Sequence, residues 1–120
     1  MTQNSSTSLA SKKCVPCEGG IPALTRAQAE AHLKNLPDWK LSSDAKLISA
    51  DYRMKNFVSA VMLINRIADI AEQNNHHPDI HLTSYRNLRI ELSTHAIGGL
   101  SENDLILAAK ISELEKELKK

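Results

Sequence analysis

The chain has 120 residues, the length of one domain, with 15 basic against 14 acidic side chains and a formal charge of +1. That balance excludes a dedicated nucleic-acid binder, whose affinity needs a clustered positive field. Four aromatic residues (Trp39, Tyr52, Phe57 and Tyr85) leave no base-stacking platform.

No apolar run approaches the ~20 residues of a membrane span, and the Ser/Thr-rich start lacks the apolar region of a secretory leader. A cytoplasmic protein without a membrane or nucleic-acid partner is expected. Residues 1–23 read as a flexible arm and 24–120 as a single domain. The arm holds Cys14 and Cys17 in a C-x-x-C. No second such pair completes a zinc site, and Gly19-Gly20-Ile21-Pro22 follows where a redox motif needs a βαβ unit. Incidental thiols in a loop are the preferred reading.

Thr25 and Gln28 have capping-box spacing, so a short helix is predicted over about 26–36, ended by Pro37. Strands follow at 38–41 and 47–53, joined through Ser42-Ser43-Asp44-Ala45. The strongest helical signal spans 56–75, where Phe57, Val61, Ile64, Ala68 and Ala71 recur at three and four, with Val58, Met62 and Ile67 widening the stripe. A second hairpin is predicted from Ile80–Tyr85 and Leu88–Thr94, turning at Arg86-Asn87, with Leu88, Ile90 and Leu92 on one face. Gly98-Gly99 breaks the chain. Ser101 and Asp104 then open a long last helix with Leu105, Ala108, Ile111, Leu114 and Leu118 on its apolar face, and its charged ending reads as solvated. The order α-β-β-α-β-β-α implies an α+β domain: a four-stranded antiparallel sheet with three helices packed on one face. The other face is left to solvent or a partner subunit.

Five histidines outnumber the aromatics, and three of them lie between residues 76 and 81. His76 and His77 follow the long helix, and Pro78 biases His77 away from helical geometry. His95 ends the last strand. Imidazoles gathered at one edge suit proton transfer, because an unperturbed histidine titrates near pH ~6.5. Metal is disfavoured. Pro78 breaks the helical spacing of His77 and His81, and along a strand the pair would stand about 13 Å apart. His32 and His81 read as ordinary surface residues. For His76, His77 and His95 the residues alone leave surface, capping and catalytic roles open.

The spacing Glu72-x-x-x-His76-His77-Pro78, then Tyr85, His95 and Asp104, resembles the signature of the pterin-4a-carbinolamine dehydratase family. Leu92-Ser93-Thr94-His95 and Gly99-Leu100-Ser101-Glu102-x-Asp104 extend the likeness, which covers roughly residues 22–116. The resemblance implies the same α+β fold, a homodimer or homotetramer, and no metal or organic cofactor. It implies dehydration of 4a-hydroxytetrahydropterin to the quinonoid dihydropterin, which recycles the cofactor of aromatic amino-acid hydroxylases. It places the catalytic histidines at His76, His77 and His95, with the first and third as the proton-transfer pair. Glu72, Asn75, Pro78, Ser93 and Thr94 would contribute to substrate binding. Animal members carry Asp before the histidine pair, an aromatic two residues after the proline and Glu-Cys after the third histidine. Here Asn75, Ile80 and Ala96-Ile97 stand there. Animal members also serve as dimerisation partners of a transcription factor, so a protein-binding module with vestigial catalysis is the alternative.

Overall fold

A computed structural model describes residues 10–11 and 22–120. Cys14, Cys17 and most of the arm expected at 1–23 lie outside the described residues. The elements are α1 (Arg26–Leu33), β1 (Trp39–Leu41), β2 (Ile48–Arg53), α2 (Phe57–Asn74), β3 (Asp79–Thr83), β4 (Asn87–Leu92), a 3₁₀ turn (His95–Ile97) and α3 (Glu102–Ser112). Their order is the expected one, and the four strands pair antiparallel as β1-β2-β4-β3.

Alternation builds the sheet. Leu88, Ile90 and Leu92 of β4 are buried, as are Ile48, Ala50 and Tyr52 of β2, and the two sets pair directly in register. A one-residue slip of either strand would turn its own set to water, so the pattern excludes that register. Together with Leu63, Ile67, Leu105, Leu107 and Ile111 from the helices they form the core.

The opposite face is polar. Across it His81 bonds Glu91 at 3.0 Å, Arg89 bonds Glu91 at 2.9 Å, and Arg89 pairs with Asp51 at 3.1 Å. The Arg89 guanidinium, and then His81, hold the Glu91 carboxyl below its ordinary range against the opposing pull of burial. A lowered folded-state pKa means stabilisation that is complete above the ordinary carboxylate pKa and lost as pH falls through the lowered one. Glu91→Gln is therefore expected to cost under about 1 kcal/mol at neutral pH, because the face is solvated. The gap from wild type should close in urea melts taken below about pH 4.

Three expectations are corrected. First, α2 buries Ala60, Leu63, Ile67 and Ala71, while Phe57, Val58 and Met62 are 53%, 64% and 44% exposed. The helix is apolar around much of its girth, so more than one stripe fits the period, and the docking of α2 on the sheet selects among them. Second, α3 ends at Ser112 and does not run on to Leu118. Lys116 turns back and donates to the carbonyls of Ile111, Ser112 and Leu114 at 2.8, 3.1 and 2.8 Å, satisfying the open end of the helix. The charged ending thus includes a capping residue, and Leu118 bridges to Met54 beside β2. Third, the second hairpin turns earlier than expected, at Ser84 and Tyr85, both left-handed with φ of 47° and 55°. Arg86 holds this turn by donating to Met54 O at 2.9 Å and also to Lys55 O.

Candidate active site

His76 lies where three chain segments meet, the end of α2, the segment after β4 and the start of α3, and His77 and His95 are on two of those segments. Helix α2 stops because Asn75 adopts a left-handed conformation, φ 49° and ψ 41°. The Asn75 N–H then bonds Glu72 O at 3.3 Å and the His76 N–H bonds Ala71 O at 3.2 Å. This pair of bonds is a Schellman ending, and it satisfies helix carbonyls that would otherwise be open. His76 and His77 leave the helix directly after it.

The two neighbouring imidazoles find different carboxylates. His76 Nε2 lies 2.6 Å from Asp104 Oδ1, with His76 13% exposed and Asp104 fully buried. His77 Nε2 lies 2.5 Å from Glu72 Oε2, and that pair is solvent-exposed. A carboxylate only accepts, so each Nε2 carries the proton and each Nδ1 is left to act on something else. The buried pair is the more consequential one, since exposed pairs contribute little to holding a side chain in place.

Asp104 sits in the first turn of α3, where the helix dipole favours a negative charge. Its Oδ2 accepts from Thr94 Oγ1 at 2.7 Å and from Ser101 N at 3.0 Å, while Oδ1 faces His76. One carboxylate therefore caps α3, holds His76 and anchors the residue before His95. Thr94 is buried, with its hydroxyl on Asp104 and 2.8 Å from Ser101 Oγ. Glu72 and Thr94, both expected at the pterin, are thus engaged with His77 and Asp104. Asn75 is exposed at the helix end, while Pro78 and Ser93 are half-buried.

His95 is exposed at the head of the 3₁₀ turn. The turn is closed by Thr94 N–H to Gly99 O at 2.8 Å and ends at Gly98, left-handed with φ 65°. Gly99 is buried, and a Cβ there would lie 2.9 Å from Ala23 Cβ. Neither backbone can yield without moving the loop. Gly99→Ala is expected to cost about 1–3 kcal/mol, read as a lowered midpoint in thermal unfolding.

Asp104 is the expected capping residue of the last helix, and its second bond, to His76, is one the sequence did not announce. The available signal was an acidic residue opening a helix whose next five positions, Leu105 to Ala109, are all apolar. Among the described residues no cluster of three His, Cys, Asp or Glu side chains suits a metal, and no helix is long and apolar enough to cross a membrane.

A family model described as Pterin 4 alpha carbinolamine dehydratase matches residues 22–114. The pterin-4-alpha-carbinolamine dehydratase 2, mitochondrial, of Arabidopsis thaliana is 46% identical over 112 residues, covering 91% of this chain and 60% of that protein. A Halorhodospira halophila protein, named among the pterin-4-alpha-carbinolamine dehydratases, is 45% identical over 107 residues, covering 89% of this chain and 97% of its own length. A crystal structure of a transcriptional coactivator/pterin dehydratase from Brucella melitensis superposes with a TM-score of 0.69 at 27% identity, covering 74% of this chain and 94% of that one.

Proposed function

The chain belongs to the pterin 4 alpha carbinolamine dehydratase family of hydro-lyases, and from that premise we propose that it dehydrates 4a-hydroxytetrahydropterin to the quinonoid dihydropterin by histidine acid–base catalysis. The reaction removes water. One proton goes to the departing 4a-hydroxyl and one leaves ring nitrogen N5. His76 and His95 are the proton-transfer pair, and the face of the pterin that carries the hydroxyl decides which of them is the acid. His77 binds and orients the ring, with Pro78 and Ser93 beside it.

The observation that carries this reading is the 2.6 Å bond from His76 to the fully buried Asp104. It fixes the ring and assigns the proton to Nε2, leaving Nδ1 as the atom that exchanges a proton with substrate. A general acid or base held in place in this way contributes on the order of 10²–10⁴-fold to a proton-transfer step. Glu72 does the same more loosely for His77. No metal or organic cofactor takes part. After a separate two-electron reduction to the tetrahydropterin, the product would serve again as the cofactor of aromatic amino-acid hydroxylases, in the cytoplasm.

The direct test follows the decay of the 4a-carbinolamine spectrophotometrically with and without the protein. Acceleration over the spontaneous rate is expected, and its absence would overturn the enzyme reading.

A second reading has one observation in its favour. Phe57, Val58 and Met62 form an exposed apolar stretch on α2, of the kind that marks an interaction surface. We assign it to a homodimer or homotetramer that carries the activity. A protein-binding module without catalysis is the alternative. Pull-down of a helical partner by a protein devoid of pterin turnover would favour that alternative.

A further inference from the structure

We propose that Asn75 is a positioning residue that acts through its left-handed backbone, aiming His76 at Asp104, and not through a contact of its amide with the pterin. The inference rests on the dehydratase reading for its kinetic test.

The direction of the histidine pair is set on both sides. Before it, Asn75 reverses the helical hand, with φ 49° and ψ 41°. After it, Pro78 pushes His77 toward extended geometry. Had residue 75 continued the right-handed helix, the next side chain would have moved on around the helix axis by one step of a 3.6-residue turn. The reversal instead carries the chain across the end of α2, with the His76 N–H still tied to Ala71 O at 3.2 Å. His76 then faces Asp104 of α3 at 2.6 Å, while its neighbour His77 turns back to Glu72 of α2 at 2.5 Å. The turn at Asn75 directs His76 toward α3, and Pro78 then helps set the different course of His77 back to Glu72. Asparagine suits the position because it enters the left-handed region far more readily than most side chains, glycine alone being freer.

Backbone and side chain are separated by two substitutions with opposite losses. Asn75→Gly keeps the left-handed conformation and removes the amide, whereas Asn75→Gln keeps the amide and disfavours the conformation. Both variants are compared with wild type by kcat and KM for carbinolamine decay, and by the ¹⁵N signals of the His76 imidazole, with circular dichroism to verify folding. The kcat of Asn75→Gly is expected to exceed that of Asn75→Gln by about tenfold, the scale of a left-handed penalty. KM should move less than about threefold in either, because the ring-binding contacts remain. The Asp104-bonded Nε2–H signature should persist in Asn75→Gly and change in Asn75→Gln. A kcat in Asn75→Gln equal to or above that of Asn75→Gly, or a tenfold rise of KM confined to Asn75→Gly, overturns the proposal. If wild type fails to accelerate the decay, the dehydratase reading falls by itself. The imidazole spectra then decide the positioning role, and identical His76 signals in the two variants overturn it.

Discussion

Asp104→Ala is expected to unfold the protein more readily than any other single change at the site, by about 3–5 kcal/mol, the usual cost of removing one partner from a buried charge-bearing pair. The carboxylate is fully buried and accepts from His76, Thr94 and the Ser101 amide. Its loss takes the acceptor from three donors at once, of which the Thr94 hydroxyl keeps an alternative in Ser101 Oγ, and a buried donor left without a partner bears its full desolvation penalty. Chemical denaturation measures the effect, and a loss below about 1 kcal/mol would show that water enters and repairs the network. Asp104→Asn separates catalysis from folding. The isosteric amide still caps α3 and fills the space, but one of its two positions now donates where the carboxylate accepted. The protein should fold, with kcat reduced about 10²-fold or more, because His76 no longer has its ring and tautomer imposed. Turnover equal to wild type in a folded Asp104→Asn protein would remove Asp104 from the mechanism.

His95→Ala is expected to do the reverse. The residue is exposed, at the head of a three-residue 3₁₀ turn. Truncating it should change stability by no more than about 0.5 kcal/mol, the usual range for surface positions. Carbinolamine decay should nevertheless slow by about 10²–10⁴-fold, the contribution of a positioned acid or base. The observation to make is an unchanged melting temperature beside a collapsed kcat. Wild-type turnover in His95→Ala would sink the assignment of the third histidine. On the proposed reading the two variants form a matched pair: loss of the buried Asp104 is expected to lower stability and positioning, and loss of the exposed His95 to lower rate.

Much of this arrangement was legible in the residues. Alternation in Leu88, Ile90 and Leu92 required a strand with one buried face, and all three are buried, whereas the pairing of β4 with β2 was decided by the fold. Thr25 with Gln28 announced a capping box, and both of its bonds are present at 3.2 and 2.9 Å. Pro78 and Gly98-Gly99 mark breaks that the fold keeps, at the entry to β3 and the end of the 3₁₀ turn, whereas α1 stops at Leu33, short of the end expected at residue 36 before Pro37. The spaced histidines carried the family resemblance.

What escaped the sequence depends on contacts between segments far apart in the chain. The buried stripe of α2 was a choice among several that the same periodicity allows, and only docking against the sheet decided it. The end of α3 at Ser112 was hidden because residues 113–118 continue an acceptable helical pattern. Lys116 ends the helix by capping its carbonyls, a geometry no local propensity encodes. The bond from His76 to Asp104 joins positions 28 apart. The sequence by itself determined the type and order of the elements and which positions carry imidazoles, because those are properties of short windows of backbone and side chain. The tertiary structure alone decided that the carboxylate capping one helix would hold the histidine leaving another, because a buried acceptor takes whichever donors the packed fold brings within reach.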